Sequence, residues 1–420
     1  MARIPGKACL PILAGLLLIL PLLAGCGGED STGESNGEKE PPEITTITIG
    51  YITDQTGASA TAMEPIDMAL DDAVEYYTEN GLIPEGARLE VATCDCAYEP
   101  SKEIPCYEKV KRDGADLIFS NVPTTPLTLK PRVTQDEMVL FTTAADDDLV
   151  YPPGYIFVPS TLPSENAYTL LKWVAENDSD FPADRRAKIG AAGWKTPYNI
   201  ALQDAMKEYA EAHPDKFEWV GGYTIEIGFN WKTEVEALKE CDYIMLPISL
   251  VSFVKEYRGA GYDGKFMGTG AQSAFLGTIS DAHLWDKFDG SLFILPSGWW
   301  TDDTEIINMT KQLLFAKHPD SAEEIMGEGA SYISIDAIYQ ILDIIVDAIE
   351  EAGPGGFDSE ALYQAAEAYS QTVDGIERAS FGKNKRSSID HLAIYEVNGE
   401  EKDLFRVHDE WYPVVRSPAE

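Results

Sequence analysis

Histidine, basic charge and catalytic motifs are all scarce in this 420-residue chain. Its five histidines, His213, His283, His318, His391 and His408, are scattered, and no H-E-x-x-H sets two on one helix face for zinc. There is no G-x-S-x-G nucleophile turn and no G-x-x-x-x-G-K-S/T phosphate loop. Ser252-Phe253-Val254-Lys255 has the S-x-x-K spacing of some acyl-transfer enzymes. It falls inside an amphipathic helix pattern without that chemistry's other motifs, so it reads as chance. No catalytic residue, cofactor or metal site is expected. Lys and Arg number 32 against 71 Asp and Glu, a net charge of −39. A surface so negative repels nucleic acid and anionic lipid, which removes both as binding partners.

Long hydrophobic runs are equally scarce: Ala8 to Gly25 is the one uncharged, Leu-rich stretch, preceded by Arg3 and Lys7. It ends in Leu23-Ala24-Gly25-Cys26, and no twin-Arg precedes it. This resembles a bacterial lipoprotein signal, which implies cleavage after residue 25 and lipidation of Cys26. At ~18 residues the run is barely long enough to span a bilayer. Residues 26–44 are then the lipidated Cys and a Gly/Ser/Glu/Asn/Pro-rich tether that buries nothing. The expected location is extracytoplasmic, on a bacterial membrane and held there by lipid alone.

Four cysteines remain in the body: Cys94, Cys96, Cys106 and Cys241. An exported protein favours a disulfide. Cys106 is expected to pair with Cys96 or Cys94, with Cys96–Cys106 preferred, because a strand end and the next helix lie close. Cys241 reads as a small buried hydrophobe. Asp146-Asp147-Asp148 reads as a solvated acidic turn capping the next segment rather than as a cation site.

From residue 44 the chain alternates strand and helix patterns. Ile44–Ile52, Arg88–Thr93, Asp116–Phe119 and Met138–Thr142 are β-branched or apolar runs ended by Ser, Thr, Asn or Gly. Between them lie helical patterns, as in Met63, Ile66, Leu70, Ala73 and Tyr77. The pattern restarts at Lys188–Ala192 and runs through Glu218–Ile225, Asp242–Pro247 and Lys265–Gly268 to Leu292–Leu295. A long helix carries Ile335, Ile338, Leu342, Ile345 and Ile349 on one face, and the tail is a hairpin turning at Asn398-Gly399. Such βαβ units build parallel sheets flanked by helices, with ligands at the strands' carboxyl ends. Three loops meet there in the first unit: Thr53–Thr61, Ser120–Thr125 and Thr142–Asp146.

Ile47–Ile83 (ITIGYITDQTGASATAMEPIDMALDDAVEYYTENGLI), Asp116–Asp146, Ile189–Tyr198, Asp242–Gly268 and Tyr332–Gly353 resemble, in order and spacing, the periplasmic leucine/isoleucine/valine-binding family of ABC importers. The resemblance implies a two-lobed type I periplasmic-binding-protein fold, α/β, with three hinge crossings near 158–161, 295–298 and 380–382. Lobe 1 would be 45–159 with 297–379, and lobe 2 160–296 with 380–416. It implies a monomeric, non-enzymatic protein that binds a small solute between its lobes for an ABC permease and its ATPase. The solute would be of branched-chain amino acid, amide or organic-acid type. A sensor for a membrane receptor, or an enzyme on the same scaffold, are the rival readings.

By the same resemblance Ser120, Thr124, Thr143, Ala144, Ala145 and Asp146 would grip the polar end, while Tyr198, Gly270 and Trp299 close over the ligand. Trp194 and Trp300 would join the aromatic wall or pack at the hinge. Gly270 stands where amino-acid binders carry an acid for the α-ammonium. Either Asp146 or Asp54 replaces that charge, or the ligand is not an α-amino acid.

Overall fold

The computed structural model describes residues 44–420, so the leader, Cys26 and most of the tether lie outside the described residues. Two sheets organise the rest. The first has five parallel strands in the order β2-β1-β3-β4-β5: β1 Thr45–Thr53, β2 Ala87–Asp95, β3 Ala115–Ser120, β4 Leu140–Thr142 and β5 Ile156–Phe157. β1 is buried along nearly its whole length, as a central parallel strand covered on both faces must be. Gly50 sits at its middle. A Cβ there would come within 2.8–2.9 Å of Ala115, Ile118 and Val110, so only glycine lets the flanking layer close onto the strand.

The second sheet runs β14-β13-β10-β9-β8-β6-β7, with β15 (Tyr412–Pro413) pairing β13. Its strands are β6 Ala187–Trp194, β7 Phe217–Ile225, β8 Tyr243–Met245, β9 Lys265–Thr269, β10 Leu292–Leu295, β13 His391–Asn398 and β14 Asp403–Arg406. β6 to β10 are parallel; the C-terminal hairpin adds β13 antiparallel to β10. That hairpin pairs Asn398 with Asp403, so its loop holds four residues rather than the two of a tight Asn-Gly turn.

The chain passes between the sheets three times: after β5, after β10, and from the small β11–β12 hairpin (Ser370–Val373, Ile376–Ser380) into β13. The first and third passages run side by side. Val158 N–H donates to Arg386 O (2.7 Å), and Ser388 N–H donates to Val158 O (2.9 Å). The apolar stripe of helix Ile335–Ala352 packs against helix Ala60–Glu79, where Tyr77 Oη donates to Asp343 Oδ1 (2.7 Å). Helices Pro163–Asn177, Glu305–Lys317 and Ala322–Glu328, and the β11–β12 hairpin, have no counterpart in the sequence reading.

Charges concentrate at the crossings. Arg386 is fully buried and donates to Glu367 Oε1 (2.9 Å), Tyr363 Oη (2.6 Å), Gly154 O (3.1 Å) and Gly382 O (2.6 Å). Glu165 accepts from Leu162 N–H (2.9 Å), Ser387 Oγ (2.7 Å) and Arg416 (3.0 Å). Arg378 donates to Pro296 O and faces Asp336, whose carboxyl also bonds Ser297. Burial raises the Asp336 and Glu165 carboxyls above their usual range and lowers the Arg378 guanidinium to about 10.

Candidate functional site

At the carboxyl end of the first sheet, three loops shape one wall of a cleft. Asp54 organises the loop after β1. It is wholly buried and accepts from Gly57 N–H (2.5 Å), Ser59 N–H (2.8 Å) and Ser59 Oγ (2.7 Å). The end of β2 backs that loop: Asp95 accepts from Gln55 N–H (3.0 Å) and Thr56 Oγ1 (2.7 Å), and a Cβ on Gly57 would collide with Ala97 O. These bonds present Ser59, Ala62, Met63 and Ile66 to the cleft on helix Ala60–Glu79. After β3, Asn121 turns inward, and its Oδ1 accepts from Thr143 Oγ1 (2.8 Å) beyond β4.

The facing wall comes from the second sheet. Thr196 caps helix Pro197–Ala212, accepting from Asn199 N–H (3.4 Å), and that start swings Tyr198 toward the cleft. Tyr198 Oη bonds Thr269 Oγ1 (3.0 Å) and Asn166, and burial raises its hydroxyl pKa. Thr269 in turn forms a capping box with Gln272, its N–H donating to Gln272 Oε1 (3.0 Å). Trp194, Ile227, Ile248 and Phe275 complete this side. The crossing at Leu295–Gly298 and the turn Ala330–Ser334 close the back. Gly298 adopts φ +102°, a conformation glycine alone takes freely.

The walls enclose a cavity of about 220 Å³. It is lined largely by apolar side chains with a scatter of hydroxyls and amides, and among the described residues no Asp, Glu, Lys, Arg or His borders it. Two buried polar atoms in the lining have no protein partner: Asn121 Nδ2 and Ser331 Oγ.

Of the residues named from sequence, Thr143, Ala144, Trp194, Tyr198 and Gly270 line the cavity together. Gly270 faces open space: a Cβ there would meet only Pro296 Cδ, at 3.9 Å. Ser120, Thr124, Ala145, Asp146 and Trp299 do not line it, and each correction has a cause. Ser120 is paired with Thr142 in the sheet and turns its Oγ back to accept from Val122 N–H (3.2 Å). Thr124 donates to Glu103 Oε1 behind the loop. Ala145 packs into the core below. Asp146 caps the short helix Asp147–Val150, accepting from Leu149 N–H (3.0 Å), and burial raises its pKa. Trp299 and Trp300 are buried hinge packing, donating to Asp403 Oδ1 (2.6 Å) and Gly329 O (2.9 Å). Neither Asp54 nor Asp146 is among the residues that line the cavity.

The disulfide joins Cys94 to Cys106, not Cys96 to Cys106. Their Cα atoms are 5.5 Å apart, within normal disulfide reach. Cys96 lies one residue past the end of β2 and turns into the core as a free thiol, raised to about 11 by burial. Cys241 is free and buried.

Sequence reasoning missed Asn121, Asn166, Phe275 and Ser331. Asn121 adjoins Ser120, the residue it chose instead. Ser331 and its neighbours give no local signal, because only the third dimension brings them to the cleft.

Residues 46–402 match the family model for periplasmic binding proteins, and the chain belongs to that family. No protein of curated function matches it. Among solved structures it is similar to a branched-chain amino acid ABC transporter protein from Thermus thermophilus with bound valine. That likeness has TM-score 0.76 and 19% identity, over 90% of this chain and 98% of the other. It is similar to a fatty acid ABC transporter substrate-binding protein from Thermomonospora curvata (TM-score 0.72, 19% identity, 92% and 97% covered). A third is a solute-binding protein from R. palustris in complex with 4-hydroxybenzoate (TM-score 0.70, 19% identity, 88% and 97% covered). At this identity the likeness establishes the fold: two lobes of mainly parallel sheet flanked by helices, the type I arrangement.

Proposed function

We propose that this is the extracytoplasmic solute-binding lipoprotein of an ABC importer, tethered through Cys26. Its lobes, 45–159 with 297–379 and 160–296 with 380–416, close on a small amphipathic solute and carry it to a permease. The observation that supports this reading most is the cavity itself. It is lined from both sheets at their carboxyl ends, so a bound solute bridges the lobes and favours closure over opening. Thr143 is bonded to Asn121 Oδ1 and Tyr198 to Thr269, and no lining pair is set as nucleophile and base, so binding rather than turnover suits it. Of the three similar proteins named above, one holds valine, one serves a fatty acid transporter and one holds 4-hydroxybenzoate, so family membership leaves the solute open.

The test uses soluble protein from Glu43 onward, purified without denaturation, then unfolded and examined by mass spectrometry for released small molecules. A stoichiometric solute is expected, and adding it back should raise the melting temperature. Asn121→Ala with Tyr198→Ala should abolish that rise. An undiminished rise in the double variant would remove the site assignment.

A further inference from the structure

Resting on that solute-binding reading, we propose that the cavity selects solutes with an apolar body and one acceptor-rich head, a carboxylate or an amide. It rejects α-amino acids. Three observations converge on this class.

The first is charge. A buried ammonium needs a carboxylate nearby and a buried carboxylate needs donors, and the lining offers the unpartnered donor Asn121 Nδ2 but no carboxylate. The buried acids nearest the cleft stand outside its lining and are engaged by groups of the chain, with Glu103 Oε2 and Asp336 Oδ1 left unpartnered. Asp54 holds its own loop through three hydrogen bonds. Asp146 caps a helix. Glu103 takes Thr124 and Thr125. Glu165 takes Arg416, Ser387 and Leu162 N–H. Asp336 lies behind Ser297, facing Arg378.

The second is polarity of the open groups. With Asn121 Oδ1 engaged by Thr143, the unpartnered atom is Nδ2, which can only donate. It is 95% buried, so a solute must bring an acceptor to it. The carboxylate of an α-amino acid could meet that donor equally well, so what counts against it is its ammonium, which has three donors and finds no carboxylate in the lining. A carboxylate or amide oxygen satisfies Asn121 Nδ2, and Ser331 Oγ is a second unpartnered group in the lining that can donate to a solute.

The third is size. An apolar cavity of about 150 Å³ accepts benzene. At about 220 Å³, this one holds a ring or branched chain plus a polar head. Met63, Ile66, Ile248, Phe275 and Ile333 supply the apolar walls.

The experiment uses matched solutes that differ only at the head: 4-methylpentanoate, 4-methylpentanamide and leucine, and likewise 3-phenylpropanoate, 3-phenylpropanamide and phenylalanine. Calorimetry on soluble protein from Glu43 onward should show the acid or amide of a series binding at least about tenfold tighter than its amino acid, a gap equal to one unpaired-charge or lost hydrogen-bond increment. Comparing acid with amide tells which head is used. Asn121→Leu should erase the gap. Gly270→Asp, which places a carboxylate in open space, should shift preference toward the amino acid. Leucine or phenylalanine binding as tightly as its deaminated partner overturns the inference and leaves the solute-binding reading intact. If neither series binds, the molecule released from native protein decides: one with a buried amine overturns the inference, one without it supports it. No binding and no released molecule would instead overturn the solute-binding reading.

Discussion

The hinge and the cavity lie within one residue of each other at Ser297, yet their chemistry is opposite. The hinge buries Arg386, Glu165, Asp336 and Arg378, each bonded to groups of the chain, although Asp336 Oδ1 and Arg378 Nε remain without a partner. The cavity buries no charge, and two of its polar atoms await a partner. Buried ions give geometry when every partner is fixed, and they are costly when one partner is missing. Charges therefore suit the crossings, whose strands must meet in one register. They do not suit a surface that must stand empty between solutes.

Removing one hinge charge should produce the largest effect. Arg386→Met deletes four hydrogen bonds and leaves Glu367 without its cation, an expected loss of about 3–5 kcal/mol in denaturant unfolding. Binding, measured on the fraction that remains folded, should hardly change. A loss below about 1 kcal/mol would place Arg386 with ordinary surface pairs and erase the contrast.

The cavity wall lacks such ionic ties, so the covalent tie behind it carries more of the load. Cys94–Cys106 fixes β2 to helix Pro100–Arg112, and the end of β2 supports the Asp54–Ser59 loop. Cys94→Ser with Cys106→Ser should lower stability by about 3 kcal/mol, the loop-closure value for a short loop. Solute affinity should fall with it, whereas Cys96→Ser should leave the disulfide intact by thiol titration.

Periodicity made β1 to β4 of the first sheet and the strands of the second sheet readable, but not the two-residue β5. What it left out follows from physics that sequence spacing does not carry. Ser120 and Asn121 point to opposite sides of the chain, and a one-residue slip exchanges a core group for a cavity group. Cys94 and Cys96 have the same parity along β2, but the strand ends at Asp95 and left-handed Ala97 and Tyr98 reverse the chain there. The Trp299-Trp300 pair invited an aromatic binding wall, and burial of two large rings with satisfied N–H groups drew it into the hinge. The β11–β12 hairpin turns at Asp374-Gly375, both at positive φ, a dipeptide signal present in the sequence and overlooked.

Titration should separate the two regions next. Asp336 and Glu165 have folded pKa values raised by burial, so the folded state holds their protons more tightly than the unfolded chain. Their contribution to stability therefore falls as pH rises from the ordinary carboxyl range toward those raised values. Asp95, Asp136 and Asp242 are lowered, and what they add is lost as pH drops below that range. Stability should thus be greater near about pH 5 than near about pH 8, and should decline below about pH 4. The net charge of −39 works in the same direction, and added salt should weaken that part alone. Affinity for an uncharged amide should stay flat across the same range, because among the described residues no carboxylate, imidazole or amine borders the cavity. A parallel fall in both would mean that hinge titration reaches the solute.

The smallest effect tests the cavity wall itself. Tyr198→Phe keeps the ring and removes the hydroxyl that bonds Thr269 Oγ1 and Asn166. Thr269 retains Gln272 Oε1 (2.8 Å), so it is not orphaned. The expected stability loss is only about 0.5–1.5 kcal/mol, that of one ordinary hydrogen bond. If affinity holds within about threefold, the ring serves as an apolar wall and the solute's head lies against Asn121 in the opposite lobe. If affinity falls more than about tenfold while stability barely moves, the hydroxyl is itself a solute contact. The polar grip would then be shared between the lobes, which sharpens where the head sits without adding a charge to the cavity.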